Sequence, residues 1–303
     1  MHSAGRLLAV IGIVMFPMAA SAQGLNTARI DQALGRSGQK AGDVYRVGFP
    51  RTDLQVVVHG VAIKPGFALG SWAAFSGTDQ DAIVMGDLVL LQGEVNPVMQ
   101  KLRSAGFEIT AVHNHLLDES PRIMYMHYMG RGAAAQLASS LREALAVSKT
   151  PLAKPAAATS GLSTQPAWVK TVEDTIGRKG GFNGGVLSFG VPRSEAVTLA
   201  TAKDRLGIRG GMPMSPAEGV AESINFQEAG AGKVATTGDF VLTAEEVNPV
   251  ISALEQHNVS VTALHSHMLT EQPRLFFMHF WAVGSPVPVA DAIKAALSHI
   301  SVK

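Results

Sequence analysis

The 303-residue sequence predicts an α+β protein of two duplicated domains, each a largely antiparallel or mixed sheet with helices on one face. Three observations carry this reading. Residues 86–145 align with residues 238–297 without a gap at a constant offset of 152, and 24 of the 60 positions are identical. Within each copy, runs rich in Val, Ile and Leu alternate with segments whose apolar residues recur at i, i+3, i+4 and i+7. In each copy a short loop also joins two strand-like runs, as in a hairpin rather than a parallel crossover.

Residues 1–22 stand outside the fold. Arg6 leads into an apolar run over residues 7–18, and Ala20, Ser21 and Ala22 place small residues before a cut. The expectation is a cleaved signal peptide and a periplasmic or secreted chain. The run is shorter than the roughly 20 residues that span a bilayer, so no membrane association is expected after cleavage.

The first repeat domain is expected over residues 24–146. Residues 54–61 (LQVVVHGV) and 82–92 read as strands. Val95, Val98, Met99 and Leu102 share one helical face, so residues 94–105 read as a helix that Gly106 ends. Residues 107–116 read as a strand, followed by the turn Asp118-Glu119-Ser120-Pro121, a strand over 122–129 and a closing helix over 134–145. Upstream, YRVGFPR (45–51) parallels LSFGVPR (187–193) at an offset of 142. The second domain, 167–303, therefore repeats the order, with its extra residues expected as a longer loop at 207–216. Residues 147–166, with Pro151, Pro155 and an alanine run, read as a linker.

Composition narrows the chemistry. Lys plus Arg number 25 against 24 acidic residues, and removing the leader with its Arg6 makes the two equal. Such a chain has no long-range field for phosphates, so a nucleic-acid partner is not expected. The absence of cysteine removes thiolate catalysis and Cys-type metal sites. Histidine and carboxylate remain as the strong metal ligands.

Six histidines fall into two matching sets. His113 and His115 lie two apart on an expected strand, which places them on one sheet face, and His127 comes from the paired strand. His265, His267 and His279 repeat the spacing. Each set is expected to form one three-His site, suited to Zn2+ or another divalent transition metal, with a position open to water or substrate.

The motifs AVHNHLLDESPRIMYMH and ALHSHMLTEQPRLFFMH, with the two EVNPV segments, resemble the LppY/LpqO family of exported bacterial proteins. That resemblance implies export but no reaction. The chain departs from the lipoproteins of that family in having no cysteine to lipidate. The H-x-H pair with its third histidine is also similar to the zinc site of acetolactate decarboxylases and related zinc ester hydrolases. This second resemblance covers only the hairpin and implies three imidazoles on zinc in a mixed sheet.

Glu119 and Glu271 have two readings, as a fourth ligand or general base and as solvated turn carboxylates. Arg122 and Arg274 could bind a substrate carboxylate or only pair with the adjacent acid. Glu94 and Glu246 start a helix, where a carboxylate is favoured anyway, and are the other choice for a fourth ligand. The expected function is an exported metal-binding protein taking a small molecule or metal ion as its ligand. Hydrolysis by metal-activated water is the first reaction considered and decarboxylation the second. The alternative is a non-catalytic periplasmic protein that binds or buffers zinc or copper.

Overall fold

The computed structural model describes residues 24–153, 165–200 and 211–303. The expected signal segment, the centre of the linker and part of the expected insertion lie outside them. The first repeat begins with a helix, α1 (Thr27–Leu34), and a hairpin of β1 (Gln39–Ala41) and β2 (Val44–Pro50). Next come a small hairpin, β3 (Val56–Val58) and β4 (Val61–Ile63), the one-turn helix α2 (Pro65–Ala68), β5 (Gly70–Gly77) and β6 (Ala82–Leu91). Helix α3 (Val95–Ser104), β7 (Glu108–His113), β8 (Glu119–Ser120), β9 (Ile123–Gly132) and α4 (Ala134–Leu145) complete it. The second repeat runs α5 (Ala167–Ile176), β10 (Gly181–Asn183), β11 (Val186–Pro192), β12 (Thr198–Leu199), β13 (Met212–Pro213) and β14 (Ala221–Gly230). It continues with β15 (Lys233–Leu242), α6 (Ala244–Gln256), β16 (Ser260–His265), β17 (Glu271–Gln272), β18 (Phe276–Gly284) and α7 (Pro286–Leu297).

Each repeat builds one six-stranded sheet, ordered β1-β2-β5-β6-β9-β7 and β10-β11-β14-β15-β18-β16. All pairings in them are antiparallel. Two three-stranded sheets, β4-β3-β8 and β13-β12-β17, hold the turns that follow the histidines. The α+β class holds. Two expected strands are redrawn. Residues 54–61 form a hairpin whose tip, His59 and Gly60, takes positive φ of 47° and 83°, as a tight hairpin turn requires. The strand expected over 107–116 ends at His113.

Alternation along the central strands sorts the residues between two layers. On β6, Ala82, Val84, Leu88 and Leu90 join a core with Leu34 of α1, Val98 of α3 and Leu141 of α4. On β15 and β18, Val234, Phe240, Leu242, Met278 and Phe280 do the same with Val172, Leu254 and Ile293 of α5, α6 and α7. The intervening residues point away from the helices. Val89 and Tyr125 meet Val186, Ala235 and Trp281, and Met85 meets Val241 and Phe277. The two sheets therefore pack face to face with the helices outside, in four layers. Helix α2 reaches across: Phe67 sets its ring edge-on to Trp281 at 6.1 Å, and Gln227 binds the Ala62 carbonyl (2.7 Å) and the Lys64 amide (3.0 Å).

The two repeated motifs outside the hairpin lock each other. Arg51, fully buried, donates to Glu94 Oε2 (2.8 Å) and to the Val89 carbonyl (2.7 Å). Arg193 donates to both Glu246 oxygens, at 2.7 and 3.0 Å. The remaining lone pairs of these glutamates accept backbone amides: Leu91 and Lys149 for Glu94, Thr243 and Ser301 for Glu246. Fully bonded, the buried Glu94 and the half-buried Glu246 have no capacity left for a metal.

Candidate metal centre

The ladder itself aims the histidines. His127 on β9 lies directly opposite Asp87 on β6, and His279 opposite Asp239, so a carboxylate and an imidazole share the inner face of each sheet. On β7, Ile109 faces the helix-side core while His113, four residues on, faces inward. A regular strand would put both on one side. A β-bulge between Ile109 and Ala111 switches the face, and the copy repeats it between Val261 and Ala263. His115 and His267 lie just beyond the strand ends rather than on the strands, as the sequence spacing suggested. The chain there is tied to the other repeat. The Thr262 hydroxyl donates to the His115 carbonyl (2.5 Å) and Asn114 Nδ2 donates to the Thr262 carbonyl (3.1 Å).

The two triads do not lie apart. Because the sheets face each other, all six imidazoles meet in one layer related by an approximate two-fold axis. The rings of His113 and His265 stack at 3.5 Å on that axis. His115 stacks on His279 at 3.6 Å and His127 on His267 at 3.7 Å, and these two contacts are equivalent under the repeat. Tyr125 covers His115 at 3.3 Å as Phe277 covers His267 at 3.6 Å. The Tyr125 hydroxyl donates to the Ala68 carbonyl, 2.8 Å away.

Ligand atoms within 4.8 Å of one another form three groups: His113, His115 and His127; His113, His265, His267 and His279; and His115, Asp239 and His279. Each repeat thus retains its triad, His113 joins both, and Asp239 is added. Tetrahedral zinc, with Zn–N near 2.0–2.1 Å, holds its nitrogens about 3.4 Å apart. Nε2 of His113, His115, His127 and His279, Nδ1 of His265 and Oδ1 of Asp87 are buried without a hydrogen-bond partner, and Asp239 Oδ1 lies 2.8 Å from His279 Nδ1. So many orphaned buried polar atoms facing one space fit a cation. Nδ1 of His113 lies 3.2 Å from the Asn114 carbonyl and Nδ1 of His279 lies 3.0 Å from that of Gly238. Such backbone contacts fix the ring and leave Nε2 for a metal. Nε2 of His265 and His267 are 2.9 Å apart, a separation that a shared proton satisfies and that a tetrahedral ion would widen to about 3.4 Å.

The electrostatics favour the ligating form. Burial, then the imidazole of His279, pushes His113 down to about 4. Burial, then His113 and His279, pushes His265 down to about 2. His115, His127 and His267 are likewise held well below the usual range, first by burial and then by the other imidazoles. Neutral imidazole is the form that binds metal. The Asp87 carboxyl is raised by burial and by Asp239, against the opposing charge of Arg46.

Two cavities open from this layer. One, of about 220 Å3, is bordered by His127, His267, Asp87 and Asp239. The other, of about 290 Å3, is bordered by His115, Tyr125 and the same two aspartates. Arg46 and Trp72 line both.

The other expected site residues lie in the turns. Glu119 Oε1 accepts the Ile123 amide at 3.3 Å and lies 3.5 Å from Arg122 Nε. Glu271 Oε1 accepts the Leu275 amide (3.1 Å) and Arg274 Nη1 (2.9 Å). These glutamates are buried rather than solvated, and each keeps one unpartnered oxygen. Neither belongs to a histidine group. Arg122 and Arg274, half exposed, pair with the adjacent acid. His59 stands at its exposed turn, 3.7 Å from Asp118. The carboxylates beside the histidines, Asp87 and Asp239, escape a search for histidine spacing. Their signal was an acid retained in both copies of an otherwise apolar strand, GDLVL and GDFVL. Arg46 and Trp72 left no repeat signal, because Ser188 and Ser223 take their places in the second copy.

Residues 28–147 and 170–299 each match the family described as Domain of Unknown Function (DUF1259). No curated protein matches the chain. Among solved structures, a trimeric bacterial microcompartment shell protein, PduB, is similar at 10% identity and a TM-score of 0.20, over 87% of this chain and 89% of that one. EtuB from Clostridium kluyveri is similar at 9% identity and a TM-score of 0.19, over 86% and 90%. Likenesses this weak carry no argument. Among the described residues no helix is long and apolar enough to cross a membrane.

Proposed function

The chain belongs to the Domain of Unknown Function (DUF1259) family, which supplies no reaction, and from its site we propose an exported protein that holds two divalent transition-metal ions, zinc first, between its repeats and uses them for hydrolysis. The observation that carries the metal reading is the convergence of six imidazoles, four buried and two half-buried, with Asp239 in groups whose ligand atoms lie within 4.8 Å of one another, most of those nitrogens having no hydrogen-bond partner. One ion would take His113, His115 and His127, and the other His265, His267 and His279. Nitrogen and oxygen donors without thiolate suit zinc, and copper or nickel as competitors. Metal content of the mature protein tests this. About two zinc per chain are expected, with loss in His113→Ala plus His115→Ala and in His265→Ala plus His267→Ala. Unchanged zinc in both double variants would sink the reading.

The cavities beside the histidines favour turnover over buffering, since a buffering site needs no room for a substrate. A bound ion would supply Lewis acidity, lowering the pKa of a water to roughly 7 and polarising a substrate carbonyl. Asp87 and Asp239 line that space and are the first choice for accepting the proton of an attacking water. Glu119 and Glu271, partly committed to their turns, are the second. Turnover of a panel of small esters, abolished by a chelator and restored by zinc, is the expected result. A zinc-loaded protein that hydrolyses none of them supports the non-catalytic reading instead. The LppY/LpqO resemblance and the apolar leader support export, for which the N-terminus of the exported chain should be Gln23. A chain retained in the cytoplasm with Met1 intact would overturn it.

A further inference from the structure

The approximate two-fold symmetry of the chamber is broken on β2 and β5. The ladder register equates Arg46 of β2 with Ser188 of β11, and Trp72 of β5 with Ser223 of β14. All four border the cavities. The first repeat therefore contributes a guanidinium on an indole, and the second contributes two small hydroxyls that leave space opposite. Arg46 Cζ sits 4.0 Å above the Trp72 ring, and its Nη1 donates to the Ala217 carbonyl at 2.9 Å. No described carboxylate lies within ion-pair distance of it, so most of its donor fork is uncommitted.

Charge makes this cation informative. Arg46 is the one Lys or Arg among the described residues that border either cavity, whereas Asp87, Asp239, Glu218 and Glu222 border the first. With all four carboxylates ionised, two divalent ions would balance them and leave the guanidinium without a counter-charge. Buried charges are paired in stable sites, and a planar fork matches a carboxylate. We propose that Arg46 is the anchor for the carboxylate of a small monoanionic substrate, which lies over Ser188 and Ser223 with its reacting carbonyl toward the metals. This rests on the two-metal reading and gives it a substrate class: esters or other acyl derivatives that carry one free carboxylate. Cavities of about 220 and 290 Å3 suit a small substrate.

The test uses the full mature protein loaded with zinc and calorimetric titration with lactate and with lactamide, its uncharged counterpart. Lactate is expected to bind at least about tenfold more tightly than lactamide, the size of a charge-assisted pair. Arg46→Gln should erase that ratio while zinc content stays at the wild-type value. Arg46→Lys keeps the charge and the ring contact but loses the fork, and should retain only part of it. No preference for lactate in the wild type overturns the proposal, as does an undiminished preference in Arg46→Gln. Should the Gln variant fail to fold, an undiminished preference in Arg46→Lys overturns it. Zinc absent from the wild type would instead sink the metal reading, so the two failures are told apart by metal content alone.

Discussion

A Cβ on Gly86 would overlap the Trp72 carbonyl oxygen and the Tyr128 hydroxyl, and a Cβ on Gly238 would overlap the Ser223 carbonyl. Each glycine immediately precedes an inward aspartate, so the close approach of β5 to β6, and of β14 to β15, sets where Asp87 and Asp239 sit. The obstacles are mostly backbone and cannot swing aside. Gly86→Ala and Gly238→Ala should therefore each destabilise by about 1–3 kcal/mol, in the range of core overpacking, and lower the urea midpoint. An unchanged midpoint in both would contradict the packing described. Protons act on the same layer. An unfolded histidine titrates near 6.5, whereas His113 is held at about 4 by burial and by His279. Above pH 6.5 neither state binds this proton. As pH falls from 6.5 toward 4, the unfolded chain gains protons that the folded chain refuses, so folding loses on the order of 3 kcal/mol at this residue. The metal-free protein should lose stability across that window in chelator-containing urea titrations, and a flat profile would argue against buried neutral imidazoles.

At the scale of the elements, the β-bulges decide what the site can reach. They let one short edge strand serve the helix-side core with Ile109 or Val261 and the metal layer with His113 or His265. The extra residue in the second copy, Thr262, also holds the His115 carbonyl of the first repeat. Thr262→Val keeps the volume and removes that bond, freeing the segment that carries His115. Loss of such an orienting contact should weaken metal binding about tenfold with little change in fold, as read by zinc competition against a chelator of known affinity. Equal competition by variant and wild type would show that the His115 segment is positioned without Thr262. The elements themselves were unevenly legible. The long strand β6, with its run from Ala82 to Leu91, and helices α3 and α4 stand out in the pattern because apolar period and end signals agree there. The short strands β3 and β4 were merged into one, since three-residue strands leave too few residues for a period. A bulge leaves no trace in composition, which is why the parity of His113 and His115 could be read only along an idealised strand.

For the whole molecule, duplication and assembly are one fact. Two copies of a sheet that is apolar on both faces must bury the second face, and the cheapest self-complementary way is an isologous two-fold contact like that of a C2 dimer. Histidine spacing made the triads legible, but which surface each would face is a property of the assembled sheets, and no local pattern encodes it. The same logic makes each half dependent on the other. Val89, Tyr125 and Met85 lose their cover without Val186, Ala235, Trp281, Val241 and Phe277. His115, His127 and His113 lose their stacking partners too. Cutting the chain between residues 153 and 165 should therefore give halves that self-associate when expressed singly and form a 1:1 complex with about two bound zinc ions when expressed together. Size-exclusion chromatography with metal analysis reads both quantities. A single half that stays monomeric and carries zinc with full affinity would show that the triads work separately, and the shared chamber would then have no part in holding the metal.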